Sequence, residues 1–498
     1  MLTNNMNRLF YLLALCICMT SSLRAQIKNF TDNGKQITRF DQLGNAVDAH
    51  DGEIAFFNGT YYLYGTSYDC GFEWNNKTAP FCGFKSYSSK DMVNWKDEGF
   101  LFDAQNPLWQ SRCDGKTYGC FRPHVVYNKR SSTYVLWINV YDNLSGYRVF
   151  VSKAPTGPFL EAPEPKIAVN ADMPIAGLNN GDHDLFIDDD GTGYLAFTDW
   201  RTQGTIVIEQ LTDDYLSGNG KVVRSITAGK TEAPALFKRK DTYYMTYSDP
   251  NCGYCSATGT SYKTAKSPLG PWSEGKKISD NSCGGQPSFV STMKIGSDTI
   301  YLYGSDLWNN AAKNEAQANF YWAPLQFASD GSILPLECMK IYALPRARRA
   351  KLEEFTAGCD ISKGKQRLQL FTATKNGKLI DFEITTLKSG YPDKELIIDF
   401  YEVESGKADV DRRLARLMVS ANAVSWSARV LKLRPKIDLI KGKQYRVVLS
   451  SKSSTGCYGF AVGKQAENSF DLTAISEDDG QSFSVQKNQK LKHSYLIR

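Results

Sequence analysis

Histidine is scarce in this chain, with four residues in 498, so a metal centre built from clustered imidazoles has little to draw on. After Met19 no apolar stretch is long enough for a membrane-spanning helix. Blocks of like charge and basic stretches interleaved with aromatics are missing, and the formal net charge is only +6. Nucleic acid is a poor match for such a chain. Long helical periodicity is sparse as well. What remains is globular: 42% hydrophobic, 12% aromatic and 22% charged residues, with 39 glycines and 18 prolines. That balance favours an all-β chain rich in turns, and its length favours two folded domains over one core.

The N-terminus reads as an export signal. Arg8 precedes the apolar run Leu9 to Met19, and Ala25 suits cleavage before Gln26. Cys16 and Cys18 follow the bulky Leu15 and Ile17, so a secreted or periplasmic protein is preferred to a lipid-anchored one. Of 12 cysteines, ten lie beyond the signal. Local pairs such as Cys70 with Cys82 and Cys113 with Cys120 would staple loops in an oxidising compartment. Cys252, Cys255 and Cys283 resemble a metal or redox group, but a second CxxC and a nearby histidine are lacking. Disulfides across loops fit better.

One unit recurs: a short apolar strand, a polar turn, then an aromatic strand. Copies run Ile54–Ser67, Val125–Asn139, Leu185–Trp200, Ala235–Asp249 and Phe289–Trp308. Asn58-Gly59 and Asp190-Gly191 are strong hairpin turns. Second hairpin signals follow several copies, at Ser86–Gly99, Ser152–Phe159 and Thr264–Trp272. Paired hairpins make four-stranded sheets, and five of them predict a five-bladed β-propeller. Past the charged connector at Leu344–Arg349, strands such as Leu368–Ala373, Lys378–Leu387, Glu395–Val403, Tyr445–Ser451 and Cys457–Gly463 predict a β-sandwich of jelly-roll type. The expected organisation is a signal at 1–25, a propeller at 26–345 and a sandwich at 346–498. The sandwich either binds carbohydrate or braces the propeller.

Residues just before the first apolar pair of each repeat converge at one mouth of a propeller. Asp51 stands three before Ile54, Asp182 three before Leu185, and Glu232 three before Ala235. This shared register predicts three carboxylates facing one pocket. Hydrolysis of an acetal needs such a set: a neutral acid protonates the leaving oxygen while a carboxylate activates water, and a third acid nearby keeps the first protonated. Glu232 is the expected general acid, Asp51 the general base and Asp182 the tuning group. His50, Arg122, His124, His183, Gln286 and Trp308 are expected substrate contacts around them. The run Asp188-Asp189-Asp190-Gly191 lacks the further ligands of a calcium loop and reads as a hairpin turn.

These positions resemble glycoside hydrolase family 43 over roughly Val47 to Leu336. The carrying motifs are the Asp before I-x-x-x-N-G-x-Y-Y, the Asp before L-F-x-D-D-D-G and the Glu-x-Pro before the fourth hairpin. The resemblance implies inverting hydrolysis of arabinofuranosides, xylosides or galactans, with no required cofactor and a structural calcium open in the channel. Ala49-His50, Arg122-Pro123 and Gly285-Gln286-Pro287-Ser288-Phe289 are similar to the exo-β-1,3-galactanase branch. That branch generally lacks the Asp base, using a Gln that matches Gln286, and carries a Glu where this chain has Phe121. The chain departs from it on both counts. A monomer is expected, acting on a poly- or oligosaccharide: galactose or arabinofuranose from plant-type arabinogalactan, or arabinan or xylan. A non-catalytic carbohydrate-binding propeller is the alternative of another class.

Overall fold

The computed structural model describes residues 26–71, 79–114, 119–169, 179–251, 257–295, 297–308, 314–344, 353–403, 412–465 and 471–498. The expected signal, the connector after Leu344, Cys252 and Cys255 lie outside them. The described chain is almost wholly β. It holds one short α-helix, Pro107–Arg112, capped by the Asn106 side chain on the Leu108 N–H.

Five antiparallel meanders follow one another, each opened by one of the repeats. Their first, inner strands are His50–Phe57, Cys120–Asn128, Asn180–Ile187, Glu232–Arg239 and Gln286–Ile295. Four sheets have four strands and the fifth has three. Each inner strand packs beside the next, and the fifth returns beside the first. Local chemistry explains the hairpins. Asn58 and Gly59 both take positive φ, 48° and 74°, the geometry that a two-residue hairpin turn demands. At Asp188 the chain turns back through an Asp188 N–H to Thr192 carbonyl bond of 2.9 Å. The Asp188 carboxylate there holds Lys238 at 2.8 Å, consistent with a turn.

Apolar faces of adjacent sheets share their cores. Phe84, Leu101, Leu136, Ile138 and Phe150 pack together between the first two sheets. Between the fourth and fifth lie Phe237, Tyr244, Tyr303 and Tyr321. Gln26–Lys28 pairs antiparallel with Ile341–Ala343, joining the start of the described chain to the end of this region.

Beyond it stand two further antiparallel sheets, one of seven strands and one of six. Their facing residues, among them Phe371, Phe382, Phe400, Val447 and Phe460, form one buried core. Disulfides join Cys70 to Cys82 and Cys113 to Cys120, as their spacing suggests. Cys283 pairs with Cys338 and Cys359 with Cys457, so Cys283 is not a metal thiolate.

Candidate active site

The shared register of the three acids does not survive in the structure. All five inner strands carry a bulge near their start, where two residues oppose one on the neighbouring strand. Asp51 is the first bulged residue of its strand and Asp182 the second, whereas Glu232 is the paired residue before the bulge. The bulge is alike in all three strands, but Ile54, Leu185 and Ala235 stand second, third and first after it, so equal counts back land on different positions. The acids nevertheless gather at one end of the ring because each bulge turns a different neighbour toward the mouth. Asp51, Arg122 and Ala233 hold left-handed φ values of 55°, 56° and 52°. Such a conformation costs a non-glycine residue about 1 kcal/mol or more and persists where packing dictates it. Gly52 and Gly65 permit the close approach: a Cβ on Gly65 would stand 2.0 Å from the Ala49 carbonyl carbon.

Arg122 joins two of the acids. Its guanidinium donates to Asp182 at 2.9 Å, and its backbone N–H donates to Asp51 at 3.2 Å. The same side chain donates to the carbonyls of Pro287 and Ser288. Thr66 and Tyr68 hydroxyls donate to the two Asp51 oxygens at 2.7 and 2.9 Å. Burial pushes the Asp51 carboxyl up to about 6; the Arg122 charge opposes this and Asp306 adds to it. Glu232 accepts the Gln286 amide at 2.6 Å, and the Gln286 oxygen accepts the Trp308 indole N–H at 3.1 Å. Tyr141 lies under the influence of both Asp182 and Glu232, whose charges join burial in raising its phenol. One polar chain therefore runs from Asp51 through Arg122 and Asp182 toward Glu232, Gln286 and Trp308.

The three expected histidine contacts are corrected. His50, His124 and His183 are 0%, 0% and 1% exposed, beneath the mouth. His50 stacks on Phe320 with centroids 5.0 Å apart and sits between Asp48 and Asp306, at 3.5 and 3.7 Å. Burial disfavours its charged form, yet the two carboxylates push it up to about 9. His124 lies 3.1 Å from Asp184 and 3.8 Å from Glu53. His183, 5.2 Å from the His124 ring, is driven down by burial and by the charges of His124 and Arg122. His50 is the paired residue before its bulge, His124 and His183 the first paired residues after theirs, and all three are buried. Trp308 is likewise 2% exposed; it anchors Gln286 and offers no open face.

Sequence reasoning missed Asp306, Tyr68, Glu53 and Asp184. Asp306 accepts the Asp51 N–H at 3.1 Å and the Ser288 hydroxyl at 2.7 Å. Its signal was its place in Gly-Ser-Asp-Leu-Trp, at the end of a strand beside an inner one. Glu53, His124 and Asp184 form a buried group with the spacing to hold a metal ion. Calcium takes six to eight oxygen ligands. Here two carboxylates and an imidazole stand together, and each carboxylate already accepts a backbone N–H, from Val125 and Leu236, at 2.6 Å. Among the described residues this set falls short of the oxygen shell that calcium takes. Burial instead raises Glu53 to about 7 beside a His124 whose imidazole is also raised.

A buried carboxyl pushed up to about 6, linked through one arginine, by its backbone N–H and its guanidinium, to a second carboxylate, with a third acid gripped by an amide, is equipment for splitting an acetal. The class is that of the glycoside hydrolases. Within it, the chain belongs to the glycosyl hydrolases family 43, whose model matches residues 45–323. That family is built on a β-propeller, and its members are inverting enzymes that need no cofactor.

A β-D-galactofuranosidase of Aspergillus niger is 28% identical over 236 residues, 46% of this chain and 64% of that protein. An arabinoxylan arabinofuranohydrolase of Bacillus subtilis is 26% identical over 292 residues, 53% of this chain and 56% of that protein. The chain thus spans less than two thirds of the length of either curated relative. Among solved structures, a family 43 β-1,3-galactosidase with galactodeoxynojirimycin superposes with a TM-score of 0.50 at 25% identity, covering 62% of this chain and 97% of that one. An exo-β-1,3-galactanase from Clostridium thermocellum superposes with a TM-score of 0.51 at 18% identity, covering 94% and 99%. At that identity the likeness is one of fold, and it extends over both regions of the chain.

Proposed function

We propose that the protein is a secreted, exo-acting, inverting glycosidase that removes terminal galactose or arabinofuranose from plant-type arabinogalactan or a related polysaccharide. Its five meanders are the blades of a propeller at 26–345, followed by a β-sandwich at 346–498 and preceded by a signal at 1–25. The disulfides and the export-like N-terminus support the compartment. Glu232 is the general acid, Asp51 the general base and Asp182 the group that orients the site through Arg122.

The observation that carries this reading is the placement of Asp51. It is a mouth carboxyl raised to about 6, and hydroxyls and an N–H orient both of its oxygens. Ionised above that pH, it takes a proton from the attacking water while Glu232 protonates the departing oxygen from the opposite face. Gln286 is committed to Glu232 and Trp308, which suits holding the acid better than replacing the base. The family relatives act on galactofuranosides and arabinoxylan by name, and this supports arabinan or xylan as the second substrate reading.

The test is product release from arabinogalactan, β-1,3-galactan, arabinan and xylan, with Glu232→Gln as control. Galactose or arabinose from the wild type and none from the variant is the expected result. No product from either protein would leave a carbohydrate-binding propeller as the function.

A further inference from the structure

Trp426 belongs to the C-terminal sheets, between the strands Arg412–Val419 and Arg429–Leu433. Its side chain does not pack in their core. It joins a buried cluster with Tyr68, Cys82, Phe121, Trp308, Ala316 and Ala318, all from the ring of five sheets. The indole lies directly on the backbone at Gly71, where an added Cβ would come within 2.7 Å of it.

The residues around Trp426 lock this insertion. Ser427 donates its N–H and its hydroxyl to one Asp69 oxygen, both at 2.7 Å, and Arg429 pairs with the other. Asn314 donates to the carbonyls of Trp426 and Lys388 at 2.8 and 3.0 Å. The Lys388 ammonium stands 5.0 Å above the indole.

What the insertion holds is the immediate support of the mouth. The clamped segment carries Tyr68, whose hydroxyl orients Asp51 at 2.9 Å. Asp48 fixes the same segment through the N–H groups of Tyr68 and Asp69. Trp308, in the same cluster, holds the Gln286 that grips Glu232. A single indole from the C-terminal region thus backs both arms that reach the acids.

We propose that Trp426 is a positioning residue for hydrolysis, acting on Asp51 through Tyr68, and that the C-terminal region is a working part of the catalytic mouth. The proposal rests on the assignment of Asp51 as general base. A bracing role alone would predict lost stability without a changed site; a positioning role predicts changed chemistry in a folded protein.

The experiment is a set of kcat/KM–pH profiles, on the polysaccharide that the wild type hydrolyses, for Tyr68→Phe, Trp426→Ala, their double variant and Trp426→Phe. Circular dichroism and thermal melting establish how much of each is folded. Trp426→Ala is expected to lose roughly 10–100-fold in kcat/KM, on the scale of a misplaced catalytic group, and to move the acidic limb to higher pH. Trp426→Phe restores most of both. In the Tyr68→Phe background the added change is expected to shift the limb little, because the two act along one route.

Fully additive effects, or a rate loss matching the unfolded fraction with an unmoved limb, would overturn the proposal. If Trp426→Ala folds poorly, Trp426→Leu carries the same comparison. Asp51→Asn is measured alongside. Near-wild-type turnover there would sink the base assignment, while the coupling of Tyr68 and Trp426 in kcat/KM would still judge Trp426 on its own.

Discussion

At the scale of single residues, the proposed mechanism turns on Asp51. Asp51→Asn is expected to lower kcat by three orders of magnitude or more and to leave substrate affinity nearly intact, since a base acts in the transition state. Steady-state kinetics with direct binding measurements check both parts; a larger loss in Gln286→Ala would move the base role to the amide. Because the Asp51 carboxyl titrates near 6, the acidic limb of kcat/KM should fall near that pH, with activity lost below it. A limb near 4 in the measured profile would mean that burial does not govern this carboxyl. The three acids were legible in the sequence because each stands just ahead of a hairpin with clear turn chemistry. Their neighbours were less so. A histidine beside an acid reads the same whether it faces a sugar or a packed channel, and only burial separates the two.

At the scale of elements, the bulge is the device that the sequence hides. Strands such as Thr60–Thr66 and Thr242–Ser248 are legible from alternation and the turns that precede them. A bulge leaves neither signal, because two residues simply oppose one. The equal spacing of Asp51, Asp182 and Glu232 from an apolar residue hides three different positions relative to the bulge. Gly65, opposite the Asp51 bulge, is the exposed weakness of the design. Gly65→Ala would set a methyl 2.0 Å from the Ala49 carbonyl carbon, so the inner strand must shift. An expected loss of about 1–3 kcal/mol, typical of overpacking, should appear as a lower urea midpoint, together with a severe loss of turnover. Wild-type stability in this variant would show that the strand pair has slack.

At the scale of the whole molecule, polar side chains stitch every seam of the ring. Glu53 takes the Val125 N–H, Arg122 pairs with Asp182, and Asp184 takes the Leu236 N–H. Gln286 reaches Glu232, and Asp306 takes the Asp51 N–H across the last seam. These residues were invisible as a set, since the five seams draw on four residue types and on both inner and second strands.

The stitches make stability depend on pH with a definite sign. His50, raised to about 9, contributes stability that is full below its unfolded value near 6.5 and is lost as pH rises through 9. Asp51 and Glu53, raised to about 6 and 7, resist ionisation in the fold, so they weaken the protein as pH climbs from about 4 up to those values and add little further change above them. The urea midpoint should therefore decline from pH 6.5 to 9, less steeply in His50→Gln; a flat profile would mean that the buried charges are compensated elsewhere.

The pairing of Gln26–Lys28 with Ile341–Ala343 has a consequence in time. The strand made first waits for a partner synthesised roughly 300 residues later, and at about 5–20 residues per second that interval lasts tens of seconds. Until Asp306 is made, the early sheets stand with one flank open and the closing seam to Asp51 cannot form. The order of synthesis thus places ring closure after all five inner strands and before the C-terminal sheets, and every earlier stage of the ring has an uncovered edge.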